Sequence, residues 1–368
     1  MKVAIIVPIV GNFGRKGFYH SQEIGLGKEL ASEGNEVIVY KCVPEKAMDG
    51  IQTENHDGIT IKYIPTRSFG PHGMFDVNLI ESNTELVFAF ADTQLIIPKL
   101  YRYCKKNNIL FIPYVGIAHS FQQNLKSRMM DMVFKATTLQ VYKKVSVITK
   151  TEDAKKELET LGVKNCHVAP VGMDFQSLKQ DYENYDRIAI RKKWGFSEED
   201  VIISFVARMQ PEKHPMEMLE VFAKVNRDGK KLLMVGKGPL EEKLQQRAKE
   251  LNIDSLVRFI SEVKYDEMWQ IHYLSDYFVN LRPEEIFGMA IMEAVYYKSC
   301  VVALKAPGPN TILSGMNGHF LCDNYGEVCE NLSIHMIDYT ALNKASEKLS
   351  NNFSWATCAN IIRMIIGE

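Results

Sequence analysis

The run Val3-Ala4-Ile5-Ile6-Val7 is apolar and rich in branched side chains, and a second run, Glu36-Val37-Ile38-Val39-Tyr40, repeats that character. Between them lie a loop that contains glycines and a segment, at about residues 21–32, in which apolar residues recur at helical spacing. Gly34 ends this predicted helix directly before the second run. Strand, glycine loop, helix and strand in this order predict a βαβ unit with buried parallel strands.

The same alternation starts again in the second half of the chain. Strands are predicted at residues 201–206, 231–235 and 256–260, with helices at about 215–225 and 240–251 between them. A chain of 368 residues is also longer than one hydrophobic core usually serves. We therefore predict an α/β protein of two Rossmann-like, doubly wound domains, in which ligands bind at the carboxyl ends of the strands.

The predicted boundary between these domains is a polar, tyrosine-rich stretch at about residues 181–186. We interpret this stretch as a linker. The first predicted domain is then residues 1–175 and the second is residues 187–350, which leaves residues 351–368 as a C-terminal segment.

The composition argues against several classes of protein. A formal net charge of −1 disfavours a general nucleic-acid-binding protein, and seven scattered cysteines without a C-x-x-C pair predict neither a disulfide framework nor a zinc site. No stretch approaches the roughly 18 consecutive apolar residues that a membrane span needs, and the first residues do not have the pattern of a secretory signal. We therefore expect a cytoplasmic protein.

Two cations follow the first predicted strand of the second domain. Arg208 and Lys213 stand five residues apart, just before a predicted helix. Such a pair beside a helix N-terminus can neutralise a diphosphate, although two solvated loop cations are the simpler explanation when the pair is taken alone. Gly236 and Gly238 follow the next strand and allow the backbone to approach a ligand or another segment closely.

The most specific pattern is the pair of carboxylates Glu285 and Glu293, which stand eight residues apart around Phe287-Gly288. Glu285 precedes a predicted helix, and Glu293 lies two turns into it on an otherwise apolar stripe. A carboxylate at that position is costly unless it has a partner such as a ribose diol. The backbone N–H groups of residues 288–290 begin the helix and are predicted to receive a phosphate.

Taken together, these residues resemble glycosyltransferase family 4, a family of retaining enzymes with the two-domain GT-B fold. The matches in the second half are Arg208-x4-Lys213, Gly236-x-Gly238-Pro239, Glu285-x7-Glu293, Val301-Val302-Ala303 and Phe353-Ser354-Trp355. Looser matches in the first half are the glycine loop, Gly34-Asn35-Glu36-Val37 and Val171-Gly172-Met173-Asp174. The resemblance spans nearly the whole chain.

The resemblance implies two domains that face each other across a cleft, with the acceptor on the first and the nucleotide-sugar on the second. Residues 351–368 are implied to form a helix that crosses back to the first domain. Arg208 and Lys213 are implied to bind the donor diphosphate in place of a metal ion, so that no cofactor is expected. Glu285 is implied to contact the donor sugar, and Glu293 the ribose hydroxyls.

Further contacts with the donor are implied on both domains. His119 stands where such enzymes place a histidine that faces the donor sugar, although a lone histidine after a strand is more often a hydrogen-bonding loop residue. The other implied binding residues are Gly14 or Gly17 for phosphate or acceptor, Gly236, Phe287, Gly288, Met289 and Ala290 around the donor, and Phe259 and Ile260 for the base.

Three positions depart from the family pattern. The usual glycine after the first glutamate is Ile286, the common Gly-x-Pro before the next strand is Lys298-Ser299-Cys300, and the glycine after the base-contacting strand is Ser261. These departures leave the base and the sugar of the donor open.

The predicted function is the transfer of a hexose from a nucleotide-diphosphate donor, such as a UDP-sugar, to a hydroxyl acceptor in bacterial polysaccharide or glycolipid synthesis. A nucleotide-sugar epimerase of the same fold is an open alternative. A NAD-dependent dehydrogenase is disfavoured, because the first loop reads Gly11-x-x-Gly14-x-x-Gly17 and the second strand ends in Lys41 rather than in an acid.

One segment carries a strong local charge. Residues 99–150 contain ten lysines and arginines against a single acid, Asp131. This segment is either an ordinary solvated face or a surface that meets anionic lipid or a lipid-linked acceptor at the inner membrane face.

Overall fold

The computed structural model of the chain describes residues 1–10, 21–119 and 124–367. The chain divides into two compact units, of which the first consists of Met1–Asp174 together with Phe353–Glu368 and the second of Phe175–Asn352. No helix among the described residues is both long and apolar enough to cross a membrane.

The first unit is built on a sheet that is parallel except at one edge. Its strands are β1 (Lys2–Val7), β2 (Glu36–Pro44), β3 (Gln52–His56), β4 (Ile59–Phe69), β5 (His72–Met74), β6 (Leu86–Phe90), β7 (Leu110–Val115), β8 (Val147–Thr149) and β9 (Cys166–Val168). Within the described residues the order is β3-β4-β2-β1-β6-β7-β8-β9, and β5 pairs with β4. The helices before the second unit are α1 (Gln22–Ser32), α2 (Ile97–Lys106), α3 (Leu125–Ala136), α4 (Thr138–Tyr142) and α5 (Glu152–Thr160).

The predicted βαβ unit forms the centre of this sheet. β1 pairs in parallel with both β2 and β6, and its residues Val3 to Ile6 are buried. A strand in that position is covered on both faces, which is why its sequence is continuously apolar rather than alternating.

The second unit contains a wholly parallel sheet. Its strands are β10 (Val201–Val206), β11 (Lys230–Val235), β12 (Val257–Ile260), β13 (Tyr277–Asn280), β14 (Cys300–Leu304) and β15 (Phe320–Cys322), in the order β12-β11-β10-β13-β14-β15. Its helices are α6 (Arg187–Lys193), α7 (Pro215–Lys224), α8 (Glu241–Glu250), α9 (Met268–Leu274), α10 (Met289–Tyr296), α11 (Pro307–Ile312), α12 (Tyr325–Ile334) and α13 (Tyr339–Asn352).

The stretch at residues 181–186, which the sequence predicts to be a linker, packs on the second unit instead. Tyr182 is buried, and its ring lies 4.9 Å from that of Tyr297 and 5.2 Å from that of Tyr273. Its hydroxyl donates to the backbone oxygen of Tyr296 at 3.1 Å. Tyrosine is both polar and aromatic, so a composition that indicates a loop also fits a buried aromatic cluster.

The last helix, α14 (Trp355–Ile366), belongs to the first unit and packs against α1. The indole of Trp355 lies so close to Gly25 that a Cβ there would stand 2.0 Å from Nε1. The backbone N–H of Met173 donates to the oxygen of Phe353 at 2.7 Å, directly before the helix. Glycine in α1 therefore makes room for the tryptophan of α14.

Candidate active site

The strand order of the second unit brings two loops together. The chain runs from β10 outward through β11 and β12 and then returns to β13 on the other side of β10, so the carboxyl ends of β10 and β13 are neighbours. Lys213 follows β10, Glu285 follows β13, and Lys213 Nζ lies 3.0 Å from Glu285 Oε2. The fold thus brings the Arg208-x4-Lys213 motif and the Glu285-x7-Glu293 motif together.

Glu285 is compensated by cations on two sides. Its carboxylate is mostly buried, and Arg282 Nη1 lies 3.6 Å from Oε1 while Lys213 approaches Oε2. Its backbone oxygen accepts from the N–H of Gly308 at 2.9 Å, which ties the loop to the start of α11. Arg282 was not predicted as a site residue, because an arginine three positions before a glutamate is too common a pattern to indicate a site.

The two predicted donor-binding cations, Lys213 and Arg208, have different surroundings. Lys213 ends a 3-10 turn, Pro211–Lys213, and His214, with φ of 59°, then leads into α7. The side chain of Arg208 is 60% exposed, and its Nη2 lies 3.8 Å from Glu212 Oε1. An exposed pair at that distance contributes little stability, so the guanidinium is accessible to an anion.

Gly236 and Gly238 pack closely against the loop that contains Arg208. Gly236 has φ of 138°, and a Cβ there would stand 1.9 Å from the backbone oxygen of Ala207. A Cβ on Gly238 would stand 2.3 Å from the backbone oxygen of Met209, and the N–H of Met209 donates to the backbone oxygen of Lys237 at 3.0 Å. The structure therefore gives both glycines a packing role, and donor contact by Gly236 stays a prediction.

The helix α10 begins directly after a glycine in a left-handed backbone conformation. Gly288 has φ of 104°, and its oxygen accepts from the N–H of Ile291 at 3.0 Å. The preceding Phe287 is buried, and Met289 and Ala290 form the first turn. Amide groups in a first turn have no acceptor within their own helix, and they are suited to bind an anion.

Glu293 points into the interior of the second unit. It is only 4% exposed, and burial raises the pKa of its carboxyl group to about 8. His272, on α9, is fully buried, and its Nε2 lies 3.6 Å from Glu293 Oε2. No sequence motif indicated this histidine, because the contact depends on the packing of two helices.

The predicted base-contacting residues Phe259 and Ile260 end β12. Both are partly buried, and the oxygen of Ile260 accepts from the N–H of Gly236 at 2.9 Å. Ser261, which replaces the glycine usual in the family, places its hydroxyl 2.5 Å from Glu241 Oε2. The end of β12 is thereby joined to the glycine loop and to α8.

In the first unit, the side chain of His119 is exposed, and its Nδ1 lies 2.5 Å from Glu157 Oε1 on α5. A carboxylate at that distance orients the imidazole ring. Glu157 was not predicted, because it is distant from His119 in the sequence. Gly14 and Gly17 lie outside the described residues.

Among the described residues, no three histidine, cysteine, aspartate or glutamate side chains come together as a possible metal-binding group.

A cavity of about 440 Å³ in the second unit is lined by Arg191, Val201 and Asp276 among others. It lies at the amino ends of β10 and β13, the opposite edge of the sheet from Lys213 and Glu285.

Comparisons with known proteins find sequence relatives that match less than half of the chain. The family described as Glycosyl transferases group 1 matches residues 186–353. The chain is 28% identical over 144 residues to N-acetyl-alpha-D-glucosaminyl L-malate synthase of Bacillus anthracis, over 39% of this chain and 37% of that protein. It is 30% identical over 181 residues to D-inositol 3-phosphate glycosyltransferase of Mycolicibacterium smegmatis, over 46% of this chain and 41% of that protein. The matches thus span less than half the length of these curated relatives.

Among solved structures, Anabaena HepE in complex with UDP is similar with a TM-score of 0.77 and 14% sequence identity, and the alignment covers 100% of both chains. This full-length likeness and the two doubly wound units define the GT-B fold, the fold of a large class of glycosyltransferases. Residues 186–353, which match the glycosyl transferases group 1 family, fall on the second unit.

Proposed function

We propose that this chain is a retaining, metal-independent hexosyltransferase that uses a nucleotide-diphosphate donor and a hydroxyl acceptor. The observation that carries the proposal is the contact of Lys213 with Glu285 on the loop that leads into α10. UDP bound to Anabaena HepE supports a UDP-sugar as donor. The malate and inositol phosphate in the names of the curated relatives support an acceptor with a hydroxyl group.

The proposed chemistry is stabilisation of the leaving group. Cleavage of the anomeric bond builds negative charge on the diphosphate, and fixed cations lower the energy of that state more than the energy of the ground state. Lys213 is already oriented by Glu285, and exposed Arg208 can close on the phosphates. The amide groups of Met289 and Ala290 add the positive end of α10.

The proposed roles of the acids follow from their surroundings. A carboxylate has about four acceptor sites, so Glu285 can accept from sugar hydroxyls while it remains bound to Lys213 and Arg282. Glu293 binds the ribose hydroxyls, and His119, oriented by Glu157, acts on the donor sugar. The acceptor hydroxyl attacks from the face that the nucleotide leaves, so that its oxygen bonds to the anomeric carbon as the bond to the diphosphate breaks. The hydroxyl proton passes to the departing phosphate oxygen, and the anomeric configuration is retained.

A pair of adjacent variants tests this function. Glu285→Gln keeps the size of the side chain but removes its charge, and we expect the transfer rate from UDP-glucose to fall about 100-fold. Glu284→Gln, at an exposed neighbouring position, should leave the rate within about twofold. The readout is release of UDP, sugar transfer to an added acceptor and the identity of the recovered hexose, with and without EDTA.

The outcomes separate the alternatives. UDP release that EDTA does not reduce, with a product of retained configuration, supports the proposal. Recovery of an epimerised nucleotide-sugar indicates the epimerase instead, and equal activity of the two variants rejects the role of Glu285.

We extend the proposal to a peripheral location at the inner membrane face, because α3 leaves an apolar stripe in solvent. Leu125 is 85% exposed and Met132 is 64% exposed, and Met129 and Val133 are exposed on the same face. Positions i, i+4, i+7 and i+8 form one side of a helix. The opposite side packs inward through buried Phe134.

Cations flank this stripe on both sides. Lys126 lies next to Val133 and Met129 around the helix, whereas Arg128 and Lys135 lie on the other side of the stripe. Apolar side chains bordered by cations are typical of helices that lie in the interface of anionic membranes. The basic segment of residues 99–150 thus includes a helix suited to a membrane that carries the acceptor.

Sedimentation with vesicles of phosphatidylglycerol and phosphatidylcholine tests this location. Met132→Gln should weaken binding about tenfold, since one buried methionine contributes more than 1 kcal/mol. Met336→Gln is the matched control, because Met336 is 85% exposed in the loop before α13 of the second unit. Failure of the wild-type protein to sediment at low salt, or equal loss in both variants, would reject the membrane contact.

A further inference from the structure

A buried histidine that no sequence motif indicated lies against the second glutamate of the Glu-x7-Glu pattern. His272 on α9 has no exposed surface, and its Nε2 is 3.6 Å from Oε2 of Glu293 on α10. Both side chains are enclosed by the second unit, so the contact depends on elements of that unit alone. Through this contact, His272 of α9 faces Glu293, the acid that we assign to the donor ribose.

Three neighbours fix the position of the imidazole. Its ring stacks on Tyr297 with centroids 6.3 Å apart and planes inclined by 11°, and it lies 5.7 Å from the ring of Phe278 on β13. The backbone oxygen of His272 accepts from the hydroxyl of Ser299 at 2.7 Å. The imidazole is therefore held by α9, by β13 and by the segment between α10 and β14.

The chemistry of the two side chains is complementary. Since burial raises the pKa of Glu293 to about 8, a proton remains near this carboxyl group at neutral pH. At 3.6 Å, His272 Nε2 and Glu293 Oε2 are in electrostatic contact but too far apart for a hydrogen bond. The contact places Oε2 on the side of the histidine, so the other carboxyl oxygen lies away from the imidazole.

We propose that His272 is a positioning residue that directs the carboxyl group of Glu293 toward the ribose hydroxyls of the donor. The proposal rests on the proposed function, which assigns the ribose to Glu293. His272 acts through Glu293 and does not itself contact the nucleotide. Its effect is on the strength of ribose binding rather than on the chemical step.

Two variants of His272 separate orientation from packing. His272→Phe keeps an aromatic ring on Tyr297 but has no nitrogen, whereas His272→Gln keeps a polar N–H near the position of Nε2. Calorimetry with UDP and with 2′,3′-dideoxy-UDP measures what the ribose hydroxyls contribute to binding in each protein. Thermal melting first establishes that both variants are folded.

In the wild-type protein, UDP should bind at least tenfold more tightly than 2′,3′-dideoxy-UDP. His272→Phe should reduce that ratio about tenfold and raise KM for the donor with a much smaller change in kcat, and His272→Gln should restore most of the ratio. Equal ratios in all three proteins, or equal loss in both variants, overturn the role of His272 while UDP binding still upholds the proposed function. If the wild-type protein binds no UDP, the UDP-sugar donor of the proposed function fails, and this inference fails with it.

Discussion

The side chains of Lys213 and Arg208 differ in how firmly the protein holds them when no ligand is bound. Lys213 is largely buried and is held by Glu285, whereas Arg208 extends into solvent near Glu212. A cation held in place needs little reorganisation when charge develops beside it, and an exposed one must first lose its mobility. In the proposed function, Lys213 is therefore the fixed cation beside the leaving group, and Arg208 is the cation that moves onto the phosphates.

The raised pKa of Glu293 predicts a pH-dependent stability. In the unfolded chain this carboxyl group ionises near its ordinary pKa of 4.5, but in the folded protein it does so only near 8. Ionisation of the unfolded chain therefore lowers the free energy of unfolding progressively between these pH values, and the full penalty is present above about pH 8. Below pH 4.5 the penalty is absent.

Glu293→Gln removes this ionisable group, so its stability relative to the wild-type protein should increase as the pH rises from 5 to 8.5. The expected gain across that range is on the order of 3 kcal/mol. Urea denaturation at several pH values measures it, with Glu284→Gln as a variant that should show no such trend. A difference that stays constant with pH would contradict burial of an ionisable Glu293.

Among the site residues, the sequence predicted those that belong to local motifs but not the residues that they contact. Lys213 and Glu285 are found because each belongs to a pattern of fixed spacing, and the structure places them in contact. His272, Glu157 and Arg282 were missed, since each acquires its neighbour through packing rather than through spacing along the chain. Phe259 and Ile260 lie at the predicted strand end, and their contact with a base stays a prediction.

At the scale of elements, the end of α10 carries a side chain where a glycine is usual. Lys298 has φ of 64°, a left-handed conformation at the position where the family has the glycine of Gly-x-Pro. A non-glycine residue in that conformation costs about 1 kcal/mol. The ammonium of Lys298 is paired with Glu183, but Glu183 is exposed and such a pair contributes little.

Lys298→Gly should therefore raise the free energy of unfolding by roughly 0.5–1 kcal/mol, because it relieves the strain at the end of α10. Lys298→Ala also removes the ammonium group but keeps the Cβ, so it should give no gain. Urea denaturation of the three proteins under one set of conditions measures the difference. Equal stability of the glycine and alanine variants would show that the backbone at residue 298 is not strained.

The elements themselves were the most predictable part of the fold. Alternating apolar strands and amphipathic helices indicate two doubly wound sheets, and β10, β11 and β12 lie within a residue or two of their predicted bounds. The tyrosine-rich stretch around residues 181–186 was misinterpreted as a linker, because composition does not reveal that Tyr182 meets Tyr273 and Tyr297. The cluster becomes visible only when α9 and α10 are placed side by side.

At the scale of the whole molecule, the first unit is assembled from two distant parts of the chain. Trp355 is buried against Gly25, and Gly172 also lies close to it. A Cβ on Gly172 would stand 2.5 Å from the N atom of Trp355. The contact between α1 and α14 is therefore fitted closely around one side chain.

Trp355→Ala should lower the stability of the first unit by about 3–5 kcal/mol, since it removes a large buried side chain and leaves a cavity. Trp355→Phe fills most of the same space and should cost clearly less. Urea denaturation followed by circular dichroism measures both changes. A loss below 1 kcal/mol in the alanine variant would show that α14 contributes little to the first unit.

This arrangement has a consequence for biosynthesis. The ribosome makes residues 175–352, which form the entire second unit, before it makes the helix that covers α1. Throughout that interval the side of α1 that packs against α14 is uncovered, and the first sheet is complete in its strands but not in its outer layer. A chaperone that binds exposed apolar surface can bind this side of α1 in the nascent chain. It must dissociate before Trp355 can pack against α1.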